Sequence, residues 1–125
     1  MKKFISLVVV FISVTTVISG LTQIIAPSVV LTFVGATVDS SSLQLFGTIG
    51  MFMFLFGAMM LHAVYSKSAN PAAIIWSAFQ KFGAAIAVGI GVCAGVFGAI
   101  ALAVALFDLL SGFLIFYYLY INRNT

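Results

Sequence analysis

Lys81 and Asp108 are the residues best placed to do ionic chemistry in this chain. They bracket residues 82–107, which contain no Asp, Glu, Lys or Arg. The midpoint of that run falls in GVCAGVFG, residues 91–98. A turn there folds the run into two antiparallel helices, in which residues whose numbers sum to about 189 lie level. The ammonium and the carboxylate then face each other near the middle of a membrane. A charge in hydrocarbon costs several kcal/mol and demands a partner. Two chemistries fit the pair: a satisfied ion pair that fixes helix register, or a protonatable pair in a transport path or polar ligand site. The one-to-one match of base and acid favours the first, because carriers need exchangeable groups.

The residues around the pair support close approach. Ser77, Ala78, Ala84, Ala85 and Val88 share a helical face with Lys81, and Ala101, Val104, Ala105, Ser111 and Gly112 share one with Asp108. These faces are mostly small, as membrane helix contacts are. Ser77 and Ser111 are each placed to add one hydrogen bond. A second series, Gly83, Ala87, Gly91 and Gly95, recurs every four residues and starts on the side away from Lys81. It is expected to pack another helix, from the same bundle or from a second subunit.

Other reactive side chains are sparse. His62 is expected near a membrane interface, as a hydrated residue or a supporting polar group, with quinone or haem contact as the sharper alternative. With one His, one Cys (Cys93) and two Asp set at different depths, no metal site and no disulfide are expected. No Ser/His/acid set and no phosphate-binding glycine loop are present, so neither an enzyme nor a resident cofactor is expected. The stretch MFMFLFGAMM, residues 51–60, covers all faces of its helix and reads as lipid-facing and core packing, or as an adaptable apolar pocket.

These residues need elements to hold them, and composition says which. Of 125 residues, 64% are hydrophobic and 6% charged, against about 25% charged in a soluble domain. The chain lacks the polar groups to cover itself in water, and no basic cluster suits nucleic acid. Four spans emerge, at about 4–25, 42–65, 71–93 and 97–121. The apolar segment 28–36 is expected to lie in the interface. Asp39, Ser40 or Ser41 is expected to cap the second span, and Asn70 with Pro71 to start the third. A basic pair followed by an apolar run also resembles a signal peptide, but hydrophobicity persists to about Ala26, longer than a signal needs, so a retained helix is favoured.

Charge sets the orientation. With four spans, Lys2, Lys3, Lys67 and Arg123 lie on one side and only Asp39 on the other. Both termini are then cytoplasmic. Tyr65, Trp76, Tyr117, Tyr118 and Tyr120 cluster toward the same side, as an interfacial belt does. A rival topology makes 82–107 one long span of about 39 Å, but it strands two apolar half-spans and separates Arg123 from Lys67.

With Gln80-Lys81-Phe82 upstream, residues 105–112, ALFDLLSG, resemble small bacterial four-helix membrane proteins of the DoxX-like kind, over roughly the second to fourth spans. Many members of that group have no assigned role, and some are membrane subunits associated with quinone-linked oxidation of sulfur compounds. The resemblance implies a membrane accessory role and carries over Lys81 and Asp108 alone. Small multidrug exporters share the length and helix count but use a Glu in the first helix. No acid occurs there in this chain, whose polar groups include Thr15, Thr16, Thr22 and Gln23. The expectation is an all-α, four-helix integral membrane bundle with cytoplasmic termini in a bacterial-type inner membrane. Its expected role is that of a non-catalytic structural or accessory subunit, with membrane lipids, other membrane subunits or a second copy as partners. A small proton-coupled carrier and a lipid- or quinone-binding protein are the alternatives.

Overall fold

The structure, a computed structural model, describes residues 2–66 and 70–122. Lys67 and Arg123, two of the cations behind the expected orientation, lie outside the described residues. Every regular element among those described is helical: α1 (Lys2–Ile25), α2 (Pro27–Phe33), α3 (Ser40–Tyr65), α4 (Pro71–Cys93) and α5 (Ala101–Asn122). α1, α3, α4 and α5 are each long and apolar enough to cross a membrane. The chain is therefore an all-α, multi-pass four-helix membrane bundle.

Local chemistry explains the boundaries. Pro27 has no N–H to continue α1, and it occupies the first turn of α2 instead. The expected interfacial segment is thus a short helix that buries Leu31 and Val34. Asp39 caps α3, its carboxylate accepting the Ser42 N–H at 2.8 Å. That choice starts the helix at Ser40, two residues before the expected position. Asn70 caps α4 by accepting the Ala73 N–H at 3.4 Å, with Pro71 behind it. After α4 the chain reverses at Gly95, whose φ of +77° suits a residue without Cβ. α5 then begins at Ala101, four residues later than expected. The residues between close over the end of the bundle, where the Gly98 N–H donates to the Val34 carbonyl at 2.7 Å.

The four long helices form a ring in chain order. α1 packs tightly on α3 and α4 on α5, and the α1–α5 and α3–α4 contacts complete it. Val9, Ile12, Met60, Ile74, Ala78 and Ile115 form the buried core. They come from the early part of α1, the late part of α3, the early part of α4 and the late part of α5. Successive crossings are therefore antiparallel, and this core lies toward the end that holds the chain termini. Gly57 and Met60 are the buried members of the methionine- and phenylalanine-rich stretch, while Met51, Phe52, Leu55 and Met59 face outward.

Backbone contact between α1 and α3 depends on glycine. A Cβ on Gly20 would sit 2.6 Å from the Gly50 carbonyl oxygen and from the Phe54 nitrogen. The small series on α4 plays no such part. Gly83 and Ala87 are exposed, and a Cβ on Gly83 would meet nothing within 4 Å. Gly91 lies against the Phe97 ring and Gly95 makes the turn. Within this chain the expected helix-packing role therefore does not hold, because the bundle buries the Lys81 face of α4 and the series starts on the opposite one.

Gly20→Ala should lower stability by about 1–3 kcal/mol, since backbone cannot yield as a side chain does. Gly83→Ala should be neutral or gain about 0.5–1 kcal/mol from helix propensity. Denaturant unfolding in micelles distinguishes the two. The cap carries a pH dependence as well. The Ser42 amide, donating to the Asp39 carboxylate, holds that carboxyl below its ordinary range. Its stabilisation is present above the ordinary value of about 4 and is lost as pH falls through the lower folded-state value. Asp39→Asn should keep the cap and abolish this acid-side dependence in a pH series of thermal unfolding, whereas Asp39→Ala should weaken α3 at every pH.

Candidate functional site

The ion pair forms, and it includes a third helix. Lys81 Nζ lies 3.5 Å from Asp108 Oδ1, with the two side chains 4% and 13% exposed. The same ammonium donates to Thr16 Oγ1 at 2.6 Å. Thr16 in turn donates to the Ile12 carbonyl at 2.8 Å, inside α1. One cation therefore ties α4 to α1 by a short hydrogen bond and to α5 by an ion pair. The pair distance exceeds the ~2.7–2.9 Å of a tight charge-assisted hydrogen bond, so the closer polar contact is with the neutral threonine. The Phe107 ring centroid lies 5.9 Å from Nζ, within cation–π range.

The expected register is corrected. Phe79 meets Phe116 and Phe82 meets Phe113, pairs whose numbers sum to 195 rather than 189. The shift follows from the late start of α5, which lengthens the turn. Lys81 is ten residues, or about 15 Å, from the start of α4. Asp108 is seven residues, or about 10 Å, from the start of α5 at the opposite end of the bundle. The two Cα atoms are thus offset along the axis, and the long lysine stem spans the difference.

Thr16 escaped the sequence reading as a partner, although its position carried a signal. Ile5, Val9, Ile12, Thr16, Gly20 and Gln23 recur at three- and four-residue steps and form the buried seam of α1. A polar residue on an otherwise inward apolar seam is a candidate partner for a buried charge. Gln23, on the same seam, donates to the Phe46 carbonyl at 3.0 Å and fastens α1 to α3. Ser13 is buried and satisfied by the Val9 carbonyl at 2.8 Å.

The two serines expected beside the pair are buried, but neither bonds to it among the described residues. Ser77 donates to the Ala73 carbonyl at 2.8 Å, and Ser111 lies in the α5 seam next to Gly112. Gly112 gives Phe82 room, with the ring 2.8 Å from where a Cβ would sit. His62 is exposed on the last turn of α3, apart from the network. Among the described residues no three His, Cys, Asp or Glu side chains come together. Chemically, the site neutralises a buried ammonium and clamps three helices.

Lys81→Ala and Asp108→Ala should each cost about 3–5 kcal/mol, because each strands a charge in a dry interior. The double variant should lose much less than their sum. Thr16→Val, which removes one hydrogen bond and keeps the shape, should cost about 1–3 kcal/mol only while Lys81 is present. Unfolding in micelles of these four variants and of Thr16→Val combined with Lys81→Ala reads both couplings, and additive losses would exclude the clamp. No family model, curated protein or solved structure matches this chain, so the geometry stands without a relative beside it.

Proposed function

We propose that this chain is a small non-catalytic membrane protein, a structural or accessory subunit of a membrane complex, held rigid by the Lys81–Asp108–Thr16 clamp. The observation that carries the reading is the occupancy of Lys81. Its ammonium already has a carboxylate and a hydroxyl as partners, and it is 3% exposed. A carrier needs a group that exchanges partners with its cargo, and this one has its partners built in. Two shallow surface concavities border the early turns of α3, and neither is lined by a clamp residue. Outward-facing Gly83 and Ala87 leave a smooth strip on α4 suited to close approach of a further helix, from another subunit or a second copy.

The reading extends to placement. Lys2 and Lys3 open α1 at the end of the bundle that holds the termini, which supports a cytoplasmic position for that end in a bacterial-type inner membrane. An accessory role of the DoxX-like kind fits the Lys and Asp on its last two spans. Vesicles reconstituted with the purified chain and loaded with a pH-sensitive dye provide the test. Wild type and Asp108→Asn should hold an imposed pH gradient equally well. A gradient that collapses with wild type and survives with a folded Asp108→Asn would replace the structural reading with a proton-coupled one.

A further inference from the structure

A groove of about 670 Å³ opens on the surface where α1 and α2 meet the first half of α3, bounded by Ile24, Ser40, Gln44, Gly47, Thr48 and Met51 among others. A smaller concavity adjoins it at Ser40, Ser41 and Gln44. The groove lies at the end of the bundle away from the chain termini. Along α3, Ser40, Leu43 and Gln44 line its first turns and Gly47, Thr48 and Met51 the next, with the Thr48 hydroxyl turned back to the Gln44 carbonyl; Ile24 and Pro27 complete the wall. From Ser40 to Met51 is eleven residues of helix, about 16 Å. That matches one leaflet of the hydrocarbon core, about half of 30 Å.

We infer that this groove is a specific site for one phospholipid of the leaflet opposite the termini, with a headgroup bearing a primary ammonium. The fit in depth selects a lipid: polar groups sit where a headgroup sits, and the apolar floor runs as far as an acyl chain reaches. Charge selects the headgroup. Asp39, next to Ser40, is the sole charged residue in the two connections at this end, 26–39 and 94–100. It is exposed, and although the Ser42 N–H and hydroxyl and the Ser41 N–H all act on its carboxylate, two oxygens with about four accepting positions leave one open. An ammonium finds an acceptor there, while the hydroxyls of Ser40 and Ser41 and the Gln44 amide offer donors to the phosphate. An anionic headgroup would meet the Asp39 carboxylate, and neither connection at this end contains a Lys or Arg. Gly47 makes the room, since the nearest atom to its missing Cβ is the Gln23 carbonyl oxygen at 4.0 Å. The site does not depend on the clamp or on membership of a complex.

Native mass spectrometry of the detergent-solubilised chain, titrated separately with phosphatidylethanolamine, phosphatidylcholine and phosphatidylglycerol, tests the inference. Wild type should retain one phosphatidylethanolamine, preferred by about fivefold over the other two, the gain from one exposed ionic contact. Gly47→Leu, which fills the groove and raises helix propensity, should lose that adduct with unchanged thermal unfolding. Asp39→Asn, which keeps the cap, should retain a lipid but lose the headgroup preference. Gln44→Ala, a mild helix-compatible change, should weaken retention of all three lipids and serves as the second groove variant should Gly47→Leu not fold. Equal retention of the three lipids by wild type, or undiminished retention by the folded groove variants, would overturn the site. Either result leaves the vesicle test of the clamp unaffected.

Discussion

An ammonium group in the middle of a hydrocarbon layer must be neutralised or carried to the surface, and Lys81 is too deep for the second. The rest of the bundle follows from that constraint. α4 must turn its Lys81 face inward, α5 must bring Asp108 within reach, and α1 must supply a hydroxyl. Three of the four spans are thereby oriented about their own axes by a single side chain. Hydrophobicity cannot do this, because lipid tails are as apolar as leucine and do not care which face of a helix they touch.

What polar contacts orient, small residues and rings bring close. Gly20, Gly50 and Gly57 let α1 and α3 touch backbone to backbone, and Gln23 crosses between them to the Phe46 carbonyl. On the other side of the ring, α4 and α5 are spaced by aromatic side chains instead, with Phe82 lying over Gly112 and near both Phe113 and Phe116. The two contacts therefore differ in kind. One is a glycine seam that tolerates no added carbon, and the other is an aromatic packing with the ion pair above it. Gly35 and Gly98 join the loops at the far end, where the Gly98 amide reaches the Val34 carbonyl.

The lysine stem explains why an incorrect register still yielded a correct pair. Expected level with each other, Lys81 and Asp108 are offset by the longer turn. A side chain with four methylene groups absorbs the offset at the price of rotamer freedom. An Asp–Arg pair with forked geometry would have been less forgiving. The same length carries the ammonium across the bundle axis to Thr16, on the helix diagonal to α4.

The sequence by itself determined the solvent, the number of crossings and the identity of the ion pair. Each of these follows from local composition: apolar runs of spanning length, breaks at Pro27 and at the Asn70 cap with Pro71, and one acid for one base in the last two spans. The helix ends at Asp39, Asn70 and Gly95 are local for the same reason, because a cap or a left-handed turn is decided within a few residues. Only the tertiary structure decided which faces turn inward. Thr16 as the second partner of Lys81, the exposure of Gly83 and Ala87, and the packing roles of Gly20, Gly50 and Gly57 all depend on the ring order of the helices. In a chain apolar on every side, the hydrophobic pattern that would reveal an inward face is nearly erased, so long-range polar contacts and backbone fit make that choice.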